Sequence, residues 1–193
     1  MKNQIFTPSE KKLASRIKLL ILDVDGVLTN GGIVTGSTDE GMPLELKIFN
    51  SQDGLGLRLV KNCGIELAIV SGRESMATTY RAKELGISEC HQDPSGIKLP
   101  IVEQMLLQKD YGWNSVCMIG DDLVDLPILQ KAALPVAVAN AVPEIKDVCK
   151  WITDSPGGSG AVREVCEWLI KARGQWNKIL DDFCQSASQA TSE

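Results

Sequence analysis

The sequence predicts an α/β fold built on a doubly wound, mostly parallel sheet. Three observations lead there. Short apolar runs recur along the chain without polar interruption, as in strands covered on both faces. Stretches with helical spacing separate them. Short pieces rich in Asp, Gly, Ser and Lys follow the strand ends or open a helix, and the carboxyl edge of an open α/β sheet is where ligands bind.

The first run is Ile17-Lys-Leu-Leu-Ile-Leu-Asp-Val24. Residues 29–50 then break the rhythm: they are rich in Gly, Thr and Ser and end in the near alternation Leu44-Glu-Leu-Lys-Ile-Phe49, which predicts a β-hairpin insert. Glu66–Ser71 and Ser115–Gly120 repeat the buried-strand pattern, and Val136-Ala-Val138 is a shorter candidate. Helices are predicted over 75–85 and 97–107, from Pro143, where proline suits a first helical position, and over 161–172, ended by Gly174. Strands alternating with helices imply βα units. The chain divides into a domain over 1–177 and a polar flexible tail over 178–193.

At 193 residues the chain can bury one sizeable core. Its 44% hydrophobic and 23% charged content is that of a soluble globular protein. A net charge of −5 argues against non-specific nucleic-acid binding and requires an anionic substrate to be drawn in by local cations. No run approaches the roughly 20 apolar residues of a membrane span, and the amino terminus lacks a signal-peptide core, so no membrane partner is expected. The six cysteines form no Cys-x-x-Cys pair and read as reduced thiols of a cytoplasmic protein.

Four pieces carry chemistry. Asp23-Val-Asp25-Gly26 puts two carboxylates on one side of an extended backbone, an unfavourable pairing without a cation, a proton or a substrate. Taken alone, Asp-x-Asp-Gly is as readily an ordinary turn. Ser71-Gly72-Arg73 offers a hydroxyl and backbone N–H groups to an anion, or an ordinary helix cap. Lys98 opens a helical segment and in isolation reads as solvated surface. Gly120-Asp121-Asp122-Leu-Val-Asp125 packs three acids into five residues; a helix dipole explains one of them well and three poorly, and an oxygen-rich cluster of this kind suits a hard cation such as Mg²⁺.

In order and spacing these pieces resemble the haloacid dehalogenase superfamily of phosphotransferases. The runs Asp23-Val-Asp-Gly-Val-Leu-Thr29, Phe49-Asn-Ser-Gln-Asp-Gly-Leu-Gly56, Gly120-Asp-Asp-Leu-Val-Asp-Leu-Pro127 and Gly157-Gly-Ser-Gly-Ala-Val-Arg-Glu164 further resemble its 3-deoxy-D-manno-octulosonate 8-phosphate phosphatase family, over about 17–174. The resemblance implies a Rossmann-like core with no large cap. It implies Mg²⁺ held by Asp23, Asp121 and the main-chain carbonyl of Asp25, with Asp122 assisting. Asp23 would be the nucleophile and Asp25 the general acid and base. Ser71 and Lys98 would hold the phosphoryl group, and Asp125 would orient Lys98 or a metal-bound water. Asp53, Gly54, Gly72 and Arg73 would line the sugar pocket. Arg163 would meet the sugar carboxylate or serve only as a helix-surface arginine. By the same resemblance a homotetramer would close the open site with its hairpins. Two alternatives remain: a phosphatase of nine-carbon keto sugar acid 9-phosphates, and a catalytically silent tetramerisation module, which the intact Asp23 and Asp25 disfavour. His91, the sole histidine, reads as structural or surface.

Overall fold

The computed structural model describes residues 5–189. Helix α1 (Pro8–Arg16) starts at a capping box: the Thr7 hydroxyl accepts from the Glu10 N–H, and the Glu10 carboxylate accepts from the Thr7 N–H. Then come strand β1 (Leu19–Leu22), the hairpin strands β2 (Val34–Ser37) and β3 (Pro43–Leu46), α2 (Ser51–Asn62), β4 (Glu66–Ser71), α3 (Met76–Glu84), β5 (Glu89–Gln92) and α4 (Leu99–Lys109). The chain continues through β6 (Val116–Gly120), α5 (Leu126–Leu129), β7 (Leu134–Ala137), α6 (Pro143–Val148), β8 (Trp151–Ile152), α7 (Ala161–Ala172) and α8 (Trp176–Gln189).

Six strands form one sheet in the order β5-β4-β1-β6-β7-β8, every pair parallel. The chain begins in the middle, winds outward through β4 and β5, then returns across β1 to β6. This is the Rossmann-like order, and its direction reverses between β1 and β6, where a crevice opens beyond the strands' carboxyl ends. β1 and β6 are buried on both faces, which is why Leu19–Leu22 and Val116–Ile119 are apolar without alternation. Asp23 lies just past the end of β1 and keeps one tie to the sheet, its N–H donating to the Ile119 carbonyl at 3.2 Å.

The expected hairpin is present as the antiparallel pair β2–β3, with Val34 opposite Leu46 and Ser37 opposite Pro43. Its apolar side chains point outward: Leu44 is 43% exposed, Leu46 55% and Ile48 78%. Helix α2 lies against α7, and the missing side chain of Gly56 permits it, since a Cβ there would sit 3.1 Å from the Arg163 Cα. No helix among the described residues is long and apolar enough to cross a membrane.

The carboxyl-terminal expectation needs correction. Helix α8 occupies 176–189, where a polar flexible tail was expected from 178. Its apolar residues Trp176, Ile179, Leu180 and Phe183 recur at helical spacing, and Ile179 is buried in the core while Trp176 packs against it. The polar residues that dominate the composition of this segment hide that stripe. Residues 190–193 of the expected tail lie outside the described residues.

Candidate active site

The site is assembled at the β1–β6 crevice. Beyond β1 the chain turns sharply over Val24–Leu28, with Asp25 extended and Gly26 at φ 94°. Only glycine fits there on two counts: the positive φ, and an added Cβ would overlap the Asp121 carboxylate. Thr29 closes the turn, its hydroxyl donating to the Val24 carbonyl and accepting from the Gly31 N–H at 3.2 Å. From the far loops, Asn140 donates to the Gly26 carbonyl at 3.0 Å and accepts from the Gly157 N–H at 2.6 Å. The turn that carries both aspartates is thereby held from two sides.

Lys98 is almost fully enclosed, with 1% of its surface exposed. Its ammonium lies 2.7 Å from Asp23 Oδ1 and donates to Asp125 Oδ1 at 2.8 Å. The other Asp125 oxygen accepts from the Asp121 N–H at 3.1 Å, so both oxygens of this buried carboxylate are engaged. Burial pulls the Lys98 ammonium down, but the facing carboxylates of Asp125 and Asp23 outweigh it and hold it above its ordinary value.

Carboxylate oxygens of Asp23, Asp121 and Asp125 lie within 4.8 Å of one another, so three acids face one ammonium. Burial, and then the charges of Asp23, Asp125 and Asp122, push Asp121 up to about 8. Burial and Asp23 push Asp125 up to about 7 against the pull of Lys98. Burial also raises Asp23, with Lys98 opposing. Asp121 Oδ1 is buried without a hydrogen-bond partner. Excess negative charge and an orphaned carboxylate oxygen are the signature of a divalent-cation site, and an all-oxygen donor set suits Mg²⁺. Asp125 has both oxygens bonded within the chain, one to the Lys98 ammonium and one to the Asp121 N–H.

Ser71 ends β4 beside β1, its hydroxyl accepting from the Arg73 N–H at 3.2 Å. Gly72 lies against Gly96 and the Lys98 side chain. Asp122 is exposed and accepts from the Leu123 N–H at 2.7 Å, outside the cluster. Arg73 Nη1 reaches to 3.5 Å of Asp25 Oδ2. Asp23, Asp25, Ser71, Gly72, Arg73, Lys98, Asp121 and Asp125 thus gather at one sheet edge.

Asp53, Gly54 and Arg163 do not join them within the chain. Asp53 is buried and accepts the Arg163 N–H at 2.7 Å, capping the start of α7. Gly54 packs against the Arg81 guanidinium. The Arg163 guanidinium pairs with Glu167 at 2.7 Å and lies over the Trp176 ring. Within the single chain Arg163 thus makes helix-surface contacts, and its N–H bond to Asp53 ties α7 to α2.

Sequence reasoning missed Lys47, Glu45 and Asn140. The Lys47 ammonium, 2% exposed, is bonded to Asp25 Oδ1 and lies 3.3 Å from Glu45 Oε1. Glu45 Oε2 accepts from Arg73 at 2.8 Å. The available signal was the alternation itself: Glu45 and Lys47 share the hairpin face opposite Leu44, Leu46 and Ile48.

Residues 95–165 match the family of haloacid dehalogenase-like hydrolases. The chain is 42% identical over 162 residues, 84% of each protein, to the 3-deoxy-D-manno-octulosonate 8-phosphate phosphatase KdsC of Escherichia coli strain K12. It is 41% identical over 169 residues to that of Salmonella typhimurium, covering 88% of this chain and 87% of the relative. The crystal structure of the Moraxella catarrhalis phosphatase of that name, in complex with magnesium, phosphate and KDO, superposes with a TM-score of 0.84 at 38% identity, covering 92% of this chain and 99% of that one. A cobalt-bound form from Haemophilus influenzae gives 0.76 at 31% identity, covering 84% and 92%. With its six-stranded parallel sheet and its acids gathered at the strand reversal, this chain belongs to the haloacid dehalogenase-like hydrolases, in the 3-deoxy-D-manno-octulosonate 8-phosphate phosphatase family.

Proposed function

We propose that this protein hydrolyses 3-deoxy-D-manno-octulosonate 8-phosphate to the free sugar acid and phosphate, with Mg²⁺, in lipopolysaccharide sugar synthesis. The observation that carries the reading is the buried Lys98 bonded to both Asp23 and Asp125 beside the unpartnered Asp121 oxygen, in a chain 42% identical to phosphatases of that name. Asp23 and Asp121, with the Asp25 main-chain carbonyl, would hold Mg²⁺, which when bound neutralises charge between a carboxylate and a phosphate dianion.

The steps belong to the chain's own residues. Asp23, its Oδ1 fixed by Lys98, attacks phosphorus with its other oxygen and takes up the phosphoryl group as an aspartyl-phosphate. Asp25 gives its proton to the departing sugar oxygen, then takes one from the water that releases phosphate. Lys98 and the Ser71 hydroxyl hold the phosphoryl oxygens, and Gly72 lets the strand end approach them closely.

The working assembly in this proposal is a cytoplasmic homotetramer. Its support is the hairpin, whose Leu44, Leu46 and Ile48 present an uncovered apolar face that a second copy can bury. The 1–177 body acts as one phosphatase domain with α8 laid on it. The test is phosphate release from the eight-carbon sugar acid 8-phosphate and the nine-carbon 9-phosphate, with and without Mg²⁺. Preference for the eight-carbon ester is expected; an equal or greater rate on the nine-carbon ester would reassign the substrate.

A further inference from the structure

The hairpin points charge inward, against the general acid. Lys47 lies just past β3, yet its ammonium is nearly as enclosed as that of Lys98 and bonds to Asp25 Oδ1. Burying a lysine in a two-stranded insert is costly unless it is fully paired. Here Glu45, two residues earlier on the same face, lies 3.3 Å from that ammonium and binds the Arg73 guanidinium at 2.8 Å. Burial pushes the Glu45 carboxyl up, but the nearby Ser75 hydroxyl and the charges of Lys47 and Arg73 outweigh it and keep Glu45 below its ordinary value. The four side chains form a closed set: Glu45 holds both cations, and both cations face Asp25. One oxygen of Asp25 is tied to Lys47, whereas Oδ2, buried and 3.5 Å from Arg73 Nη1, accepts no hydrogen bond.

We propose that Lys47, oriented by Glu45, is a positioning residue for proton transfer: it fixes Asp25 Oδ1 so that Oδ2 alone exchanges the proton with the leaving group. This rests on the phosphatase reading above. In the step concerned, the Asp23 oxygen–phosphorus bond forms as the phosphorus–alkoxide bond breaks. The proton on Asp25 Oδ2 passes to the alkoxide oxygen, and Asp25 is left as a carboxylate against Lys47 and Arg73. The second step reverses the proton's path, from water to Oδ2. The hairpin thus forms part of the catalytic machinery in addition to covering it.

The leaving group supplies the test. An aliphatic alkoxide needs that proton, whereas 4-nitrophenolate departs as an anion, and kcat/KM reports only steps through the first phosphoryl transfer. With Mg²⁺ present, Lys47→Met is expected to lower kcat/KM by roughly 100-fold for glycerol 3-phosphate and for the sugar acid phosphate, but by less than about 5-fold for 4-nitrophenyl phosphate. Lys47→Arg should recover much of the loss. Glu45→Gln, close in volume, should move the same ratio in the same direction by roughly 10-fold, and it gives the reading should Lys47→Met fail to fold. Equal losses on all three esters would overturn the inference in favour of a structural role. A loss confined to KM for the sugar acid phosphate would overturn it in favour of binding the substrate's carboxylate. If the wild-type protein hydrolyses the other two esters and not the sugar acid phosphate, the substrate reading fails, while the ester ratio still judges Lys47.

Discussion

β1 and β3 are both four-residue strands rich in leucine, and they treat their side chains in opposite ways. Every side chain of Leu19–Leu22 is buried, because helices cover both faces of the central sheet. In Pro43–Leu46 the leucines face out and the buried business is done by charge: Glu45, with Lys47 just beyond it, faces the crevice. The two strands approach one site from two sides. The sheet brings Asp23, whose neighbours are fixed by packing, and the hairpin brings Lys47, whose ammonium is held by ion pairs to Asp25 and Glu45. Failure at the sheet side should therefore remove the chemistry, whereas failure at the hairpin side should change its efficiency and its substrate range.

The sharpest way to break this division is at Asp23. Replacement by Asn keeps the shape and one hydrogen-bond acceptor but removes the proposed nucleophile, and turnover of every phosphate ester should fall by roughly 10⁴-fold or more. Phosphate release from the sugar acid phosphate and from 4-nitrophenyl phosphate checks it. A near-native rate on either ester would remove Asp23 from the chemistry.

Stripping the metal comes next. Excess chelator should abolish activity; Mg²⁺, Mn²⁺ or Co²⁺ should restore it, and Ca²⁺, which takes more ligands at longer distances, should not. The acid cluster adds a readout that does not depend on catalysis. In the folded, metal-free chain burial and the neighbouring carboxylates push Asp121 up to about 8 and Asp125 up to about 7. Their unfolded values lie near about 3.9, so both are raised by folding. Raised carboxyl groups bind more protons folded than unfolded. Their contribution is complete below about pH 4 and is lost as pH rises through about 7 and 8. The melting temperature of the chelated protein should therefore fall between pH 5 and 8, and stabilisation by Mg²⁺ should be largest at the upper end. A chelated protein whose stability is flat across that range would count against the raised values.

On the hairpin side, Leu46→Asp or Ile48→Glu should dissociate the proposed tetramer and raise KM for the sugar acid phosphate roughly tenfold, with 4-nitrophenyl phosphate little changed. Light scattering beside the kinetics decides it. A wild-type protein that is monomeric and fully active would end the tetramer proposal.

What could be read from the sequence divides along the same line. The central strands were legible because being buried on both faces leaves an uninterrupted apolar run, and the acids at their ends stand out against it. Lys98 was legible only in company: alone it is a helix lysine, and its burial follows from Asp23 and Asp125, distant in sequence. Alternation sets Lys47 on the face opposite the leucines, but its burial could not be read, since a lysine in an alternating strand looks solvated until the turn carrying Asp25 folds over it. Helix α2 was missed because Gly54 and Gly56 lower its helical propensity; both serve close approach, to Arg81 and to the α7 backbone. Helix α1 buries little beyond Ala14, so periodicity had almost nothing to report.

The gentlest comparison is between matched truncations in the two strands. Ile21 is fully buried, and Ile21→Ala leaves a cavity among residues that cannot close over it, at a cost of about 3 kcal/mol. Leu46 is 55% exposed in the single chain, so Leu46→Ala should cost less than about 0.5 kcal/mol in the isolated protomer. The two costs should also respond differently to protein concentration. A cavity inside one chain destabilises it equally at any concentration. A leucine that packs only against another copy contributes by mass action, so its deletion should grow more harmful as concentration rises. Thermal melts of both variants over a hundredfold concentration range give the answer. A Leu46→Ala cost that is large and independent of concentration would mean that the hairpin's apolar face is covered within its own chain, and the contrast between the two strands would fail.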